Sequence, residues 1–538
     1  MDNFLETESL IISLLLVVSL VAIIVRRLRI PYTVALVVVG LLFTFQQPLK
    51  LTLTPELILS LFVPPLVFEA AFHIELKILR ENWLPIFALA VPGVLLTTAL
   101  VALIITFGIN LSPTSGMVFG ALIAATDPVA VVALFRTVGA PKRLTTLVES
   151  ESLFNDGTAI VIFQLMLAIA LTTAATVNGG SGSKDSFDIL SAVVSFVRIS
   201  AGGACIGIGL GWLAAQIIAR VDDYLIETTL TTTLAFGAYL LAEEFHMSGV
   251  LAVVAAGIVT GNFGLAKMSP TTKIVLINFW EYLAFVANSL VFLLIGLDVN
   301  IRELSANWFS IIVALAAVLI SRAIVVYGLT NVTNLMRGAP VNVAYQHVMF
   351  WGGLRGAISL ALALSLPATF ADRELLRVMT FGVVLFTLLA QGTTMQLLLK
   401  RLGLVQQDAV EIEYERRYGR LLAARAALER LEKLHQEGVV SALVWEEIEP
   451  KLRDQIENNL ESQRQLLAAY PQLRSEELND ARLEGLRAQR AAVTIMLSNG
   501  LISETVHDEL ISEVDAALTR KAELSADVEE VKRTAAVN

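Results

Sequence analysis

Apolar runs of roughly 17–25 residues recur along the first three quarters of the chain, and a helix of that length crosses a bilayer. Short polar breaks separate them. Reading from break to break gives thirteen candidate spans, roughly 8–25, 31–47, 54–72, 83–107, 116–135, 144–174, 187–218, 223–242, 247–262, 272–297, 305–332, 340–367 and 376–399. The seventh is long and reads as one tilted helix. Beyond Lys400 and Arg401 the pattern changes to dense Glu, Arg, Leu and Ala, as in solvated helices. The pattern therefore predicts an all-α polytopic membrane protein with a helical tail over 401–538.

Composition agrees with this division. The chain is 56% hydrophobic with a mean hydropathy of +0.70, too apolar for a soluble protein of 538 residues. Residues 1–400 carry 21 Lys/Arg and 23 Asp/Glu, whereas residues 401–538 carry 18 and 26. Most of the net charge of −10 thus falls in the tail, which argues for a solvated acidic region and against nucleic-acid binding. The single Cys205 excludes an internal disulfide. The first run follows Asp2, Glu6 and Glu8 and precedes Arg26, Arg27 and Arg29, so no cleavable signal peptide is expected.

Charge in the short loops orients the spans. Loops after odd-numbered spans hold twelve Lys/Arg and loops after even-numbered spans five, which places the N-terminus outside and the tail in the cytoplasm. Span 2 (IPYTVALVVVGLLF) resembles span 9 (MSGVLAVVAAGIVTG). A repeat of seven spans inverts the second copy and pairs span 5 with span 12. Span 5 is interrupted at Thr126-Asp127-Pro128 and span 12 opens GGLRG, Gly352 to Gly356. Interrupted helices at matching places in inverted halves point to a transport site; the plain alternative is two ordinary Gly/Pro kinks.

Charges within spans carry the chemistry, because each is expensive in lipid. The basic ones are Arg198, Arg322 and Arg355; the acidic ones, inside or at span ends, are Glu69, Asp127, Glu149, Glu151, Asp156, Glu227 and Glu281. On a helix Glu151, Ser152, Asn155 and Asp156 share one face. That oxygen-rich face suits a hard cation such as Na⁺, held by Asp156, Thr126, Ser152 and Asp127 between spans 5 and 6. Asp127 reads equally as a ligand or as the end-cap of a broken helix. Glu151 reads as half of a buried ion pair, with Arg322 as the first choice of partner and Arg355 the second. Glu149 and Glu69 are candidates for a cytoplasmic entrance. Arg198 reads as a packing or lipid contact, and Glu227 and Glu281 as interfacial. Asn288 and Ser289 are placed to hydrogen-bond into the core. GIGLG, Gly207 to Gly211, lacks the strand context of a dinucleotide fold and predicts close helix packing. No Cys or His cluster suggests a structural metal.

With these residues assembled, ATDPVAVVALF (125–135), ESLFNDGTAIVIF (151–163), the span around Arg322 and GGLRGAISLALAL (352–364) resemble the sodium/proton antiporters of the NhaP and NHE type, the monovalent cation/proton antiporter-1 family. The likeness covers roughly residues 8–400. It implies thirteen helices with an inverted repeat, a dimerisation domain of spans 1–3 and 8–10, a moving core of spans 4–6 and 11–13 and a linking span 7. Spans 5 and 12 would be broken and cross near the ion. It makes Asp156 the carrier of cation and proton and Asn155 its partner, with Thr126, Ser152 and Asp127 completing the site. Glu151 and Arg322 match the structural pair, and Arg355 is tied to the crossover. It further implies a homodimer in the cell membrane, serving pH and sodium homeostasis without a cofactor. The Asn155-Asp156 pair is similar to the electroneutral branch, one cation for one proton, with Li⁺ and K⁺ open beside Na⁺. Two rival classes would use the same residues differently. An intramembrane aspartyl protease would use Asp127 and Asp156, and FNDG is near the GxGD pattern; a channel would not depend on an opposing proton gradient.

The tail contains a second repeat. EGVVSALVWEEI (437–448) and NGLISETVHDEL (499–510) align at an offset of 62, each with a Gly to end one helix and a Ser to cap the next. Helical hairpins are predicted, either regulatory or dimer-supporting, or a passive extension.

Overall fold

The computed structural model describes residues 2–28, 32–46, 57–177, 189–221, 223–265, 268, 270–298, 301–336, 340–404, 409–498 and 500–514. The opening residues of predicted spans 2, 3 and 7 fall outside them. The chain separates into two compact units, Met1–Gln406 and Gln407–Asn538. Among the described residues both are built of helices joined by short turns, with no strand.

In the first unit, α1 (Asp2–Leu28) and α2 (Tyr32–Gln46) are followed by a π-turn (Leu57–Phe62) leading into α3 (Val63–Phe72). The short α4 (Leu76–Glu81) precedes α5 (Trp83–Ala90) and α6 (Pro92–Ile109), in line with each other and parted at Val91-Pro92, where proline removes a backbone donor. Then come α7 (Pro113–Ala124), α8 (Val129–Val138), α9 (Lys142–Val177), α10 (Ile189–Ile218), α11 (Tyr224–Glu244) and α12 (Gly249–Val259). The unit closes with α13 (Pro270–Asp298), α14 (Ile301–Ala306), α15 (Trp308–Leu335), α16 (Val343–Trp351), α17 (Ala357–Leu364), α18 (Arg373–Phe386) and α19 (Thr393–Arg401).

Among the described residues eight helical stretches are long and apolar enough to cross a membrane, and four shorter apolar helices join them. The shorter four correspond to predicted spans 1, 2, 3 and 9. Predicted span 12 appears as α16 and α17, nine and eight residues, each too short to cross alone. The remaining predicted spans are the eight long stretches.

The apolar side chains divide by position. α7 is buried over almost its whole length, whereas α10 shows Val193, Val197, Ile208, Trp212 and Leu213 outward, as a lipid-facing helix would. The inner edge of α10 packs on α12 as GIGLG predicts: a Cβ at Gly207 would strike the Ala252 backbone, and one at Gly211 would come within 3.1 Å of Ala256 Cα. α2 lies against α13, where Tyr32 stacks on Phe285 at 5.2 Å and shares a 2.9 Å hydrogen bond with Ser289.

The second unit holds α20 (Ala409–Gln436), α21 (Ala442–Ala469) and α22 (Pro471–Ser498), with a further helix from Glu504. The offset of 62 recurs in the geometry. Gly438 and Gly500 have φ of 75° and 69°, and the next amides reach back five residues, Val439 to Leu434 O and Leu501 to Met496 O, both at 2.9 Å. These are paired left-handed helix stops. The predicted serine cap is corrected in one respect: the Ser441 side chain makes no capping bond, and its carbonyl alone opens α21, accepting from Trp445 N–H at 3.0 Å. α20 and α21 pack around Leu421, Ala424 and Leu466, and the Tyr414 hydroxyl bonds the Gln463 and Glu477 side chains.

Candidate functional site

Two helices break at the centre of the first unit. α7 stops at Ala124 because Ala125 turns extended (ψ 136°) and Pro128 disfavours a helical Asp127. α16 stops at Trp351, and Gly352 to Gly356 carry the chain to α17. The two breaks lie side by side, with the Asp127 amide donating to Leu354 O at 2.8 Å. The Asp127 carboxylate then accepts from Val129 N–H at 3.0 Å and from Ala357 N–H, the first amides of α8 and α17. A negative group thus sits on the positive ends of two half-helices. Arg355 does the converse: its Nη1 donates to Ala124 O at 2.7 Å and Ala125 O at 3.0 Å, the end of α7. Its own amide is held by Thr387 Oγ1 at 3.2 Å, and Ser359 Oγ adds a 3.3 Å bond to Ala125 O. Gly356 is required by closeness, since any Cβ there would collide with the Asp127 carboxylate. Of the two readings of Asp127, these bonds are those of an end-cap, although the residue also borders the cavity below.

The face of α9 that crosses these breaks is polar and buried: Glu151, Ser152, Asn155 and Asp156 are all below 9% exposed. Ser152 Oγ donates to Thr126 O and accepts from Thr126 Oγ1 at 3.3 Å. Asn155 Nδ2 donates to Thr126 Oγ1 at 3.1 Å and to Glu151 Oε1 at 3.4 Å. Thr126 N–H donates to the Asp156 carboxylate. Asp156 Oδ1 and Asn155 Oδ1 are left without a hydrogen-bond partner among the described residues. A cavity of about 70 Å³ opens here, lined by Thr126, Asp127, Ser152 and Asp156 together with Leu66, Val67 and Asn288. Among the described residues no group of three His, Cys, Asp or Glu side chains forms a metal cage. With the Asp127 carboxylate held by backbone amides, the Asp156 carboxylate and the neutral oxygens around it suit a small monovalent cation or a proton.

One turn back, Glu151 meets Arg322 of α15 in a fork: Nη1 to Oε1 at 2.8 Å and Nη2 to Oε2 at 2.9 Å. Nη2 also donates to Met349 O of α16 at 3.0 Å, so one guanidinium joins three helices. A Cβ at Gly353 would lie 2.7 Å from Arg322 Nε, so this glycine makes room for the pair. Arg355, the second choice of partner for Glu151, is instead spent on the α7 carbonyls.

Glu149 lies 3.6 Å from Arg136 at the end of α8, and Glu69 lies 3.4 Å from His73. The four groups are close enough to act on one another's charge, and Glu281 reaches Glu69 as well. Arg198 and Glu281 are exposed, whereas Glu227, in the first turn of α11 and so close to a span end, is 1% exposed and turned inward. Nearness to a span end predicted its depth but not its direction. Residue types alone also passed over Ser359 and Thr387, whose single hydroxyls resemble any helix serine or threonine until the crossing is seen.

A sequence model of the family "Sodium/hydrogen exchanger, transmembrane" matches residues 12–401. The chain is 42% identical over 404 residues to the Na⁺/H⁺ antiporter ApNhaP of Aphanothece halophytica, covering 75% of each. It is 37% identical over 499 residues to the Na⁺/H⁺ antiporter NhaG of Bacillus atrophaeus, covering 90% of this chain and 92% of that one. Among solved structures, the sodium proton antiporter MjNhaP1 of Methanocaldococcus jannaschii superposes with a TM-score of 0.60 at 20% identity, over 74% of this chain and 99% of that chain. At that identity the likeness is one of fold.

Proposed function

From the premise that this chain belongs to the sodium/hydrogen exchanger family, we propose that it exchanges Na⁺ for H⁺ across the cell membrane with Asp156 as the carrier. The observation that carries this reading is the Asp156 carboxylate itself. It is buried, has one oxygen unpartnered, and faces a cavity edged by the Thr126 and Ser152 hydroxyls. A buried carboxylate is neutralised either by a proton or by a cation, and each displaces the other.

Each side chain then has a task. Asp156 holds the cargo. Ser152 and Thr126 supply neutral oxygens, and Asn155 keeps the neighbouring position uncharged, so one proton leaves for each cation that arrives. Asp127 and Arg355 balance the half-helix dipoles and keep the two breaks together. Two backbone amides occupy the Asp127 carboxylate, which argues against an aspartyl protease dyad. Glu151 and Arg322 fix α9 to α15. Glu69 and Glu149 make the cytoplasmic entrance negative. The thirteen segments all cross, with the N-terminus outside and the tail in the cytoplasm. Spans 1–3 and 8–10 form a static homodimer, the core of spans 4–6 and 11–13 moves against it, and span 7 links them. Only the neutralised site crosses the apolar barrier, so leak is suppressed and exchange is electroneutral. Such exchange serves pH and sodium homeostasis, and Li⁺ and K⁺ are tested beside Na⁺.

The deciding experiment is exchange in proteoliposomes across a cation series and a pH series, with and without an opposing proton gradient. Cation-dependent, gradient-dependent proton movement that is insensitive to membrane voltage is expected. Flux that ignores the proton gradient would make the protein a channel, and voltage-driven flux would refute one-for-one exchange.

A further inference from the structure

The cavity beside Asp156 has an uneven lining. α9 and the broken segment bring the carboxylates of Asp156 and Asp127 and the hydroxyls of Ser152 and Thr126. α3 and α13 line it too, and the α3 residues Val63, Leu66, Val67 and Ala70 bring no polar side-chain atom. Asn288 of α13 interrupts this apolar wall. It is 8% exposed and borders the cavity. The adjacent Ser289 is accounted for by other groups, at 2.9 Å to the Tyr32 hydroxyl and 2.5 Å to Phe285 O. Neighbours on a helix point about 100° apart, so the polar pair serves two faces. An amide that borders a cavity in an otherwise apolar wall is a natural partner for water or an ion held there. The cavity's 70 Å³ leaves room for several waters, each needing roughly 10–15 Å³ of such space.

We propose that Asn288 is a specificity-determining residue of the cation path: its amide oxygen takes over part of the cation's hydration shell, directly or through one water, in the cavity it shares with Asp156. The proposal rests on the reading of Asp156 as the carrier. Chemically, an amide is the group for this position. Its carbonyl oxygen is a hard ligand, and its neutrality adds no charge to those of the carboxylates already there. Within the same cavity, it compensates a cation for lost water without holding it as a further carboxylate would.

The test is cation-driven exchange in proteoliposomes carrying Asn288→Ala, Asn288→Leu and Asn288→Ser, beside Asp156→Asn. Ala and Leu are expected to raise the KM for Na⁺ roughly three- to tenfold, the span of one neutral hydrogen bond. The maximal rate stays near that of the parent and the Li⁺ to Na⁺ preference shifts. Ser, which keeps an oxygen, falls between. A purely structural Asn288 would lower yield and maximal rate while leaving KM and cation preference alone, and that result overturns the proposal. Should Leu fail to assemble, Ser and Ala carry the same comparison. Exchange surviving in Asp156→Asn would refute the carrier reading; a dead Asp156→Asn beside a parental KM in Asn288→Ala would refute this inference only.

Discussion

Glu151 and Glu447 are the same residue, each on a helix and each closed onto a basic side chain at 2.8 Å, Arg322 in the first unit and Lys451 in the second. Distance does not separate them. Exposure does: 2% and 7% for Glu151 and Arg322, 74% and 72% for Glu447 and Lys451. The surface pair trades hydration for attraction at almost no gain and is screened by salt. The buried pair has lost its hydration on both sides, so each ion depends on the other, on the Arg322 fork and on Met349 O. The lesson is that a buried charge such as Glu151 holds a place, whereas an exposed one such as Glu447 keeps a helix wet. Substitutions should rank accordingly.

The largest effect is expected where a charge has no substitute. Asp156→Asn keeps shape and removes the titrating group, so exchange should fall to that of empty liposomes while the purified protein elutes and melts like the parent. Undiminished exchange would remove Asp156 from the centre. The same competition predicts a pH signature in the parent. Protons and Na⁺ contend for one site, so the KM for Na⁺ should rise as pH falls, approaching about tenfold per pH unit once the proton dominates. A KM flat across pH would mean separate sites.

Next comes the buried fork. Arg322→Ala leaves Glu151 buried and uncompensated, a loss of about 3–5 kcal/mol for a broken buried pair. The full chain should express poorly and melt well below the parent. Replacing both partners together, Glu151→Gln with Arg322→Met, should recover much of that loss, because no lone charge remains. If the double variant melts no higher than Arg322→Ala, the fork contributes through packing and not through charge.

This ranking also explains what was legible in the chain. Asp156 and Glu151 stand out because each interrupts an apolar run, and periodicity puts them on one face with Ser152 and Asn155. The break at Asp127-Pro128 is legible from local chemistry. Arg322 as the partner of Glu151 is a pairing across 171 residues, and the choice between Arg322 and Arg355 turns on which carbonyls the crossing exposes. That information is tertiary. The cap role of Asp127 is tertiary too, since the second amide it holds, Ala357, belongs to a helix far along the chain. Glu227 shows a related limit: its place near a span end is legible, but hydropathy does not report the direction a side chain turns. In the tail the glycine stops were readable because a left-handed stop is a local requirement, while the missing Ser441 bond was not, because a side-chain rotamer decides it.

The smaller effects belong to the tail. Gly438→Ala or Gly500→Ala forces a side chain into φ of 75° or 69° and should destabilise its hairpin by about 1 kcal/mol, read as lost amide protection around 434–445 or 496–507. Equal protection in parent and variant would mean that the turn relaxes at no cost.

The smallest effect is expected at the surface pair itself. The Lys451 ammonium bonded to Glu447 draws its carboxyl below the ordinary value. A depressed carboxyl contributes stability above its unfolded pKa and loses it as pH falls through the folded one, so the pair is at full strength near neutrality. Even there both side chains lie in water. Glu447→Gln should therefore leave the melting of the full chain unchanged at pH 7, and any trace seen at low salt should vanish at physiological ionic strength. A loss comparable to that of Arg322→Ala would mean that equal distance carries equal weight in both units. The exposure of Glu447 would then no longer describe its surroundings in the working protein, and a partner covering α21 would have to be sought.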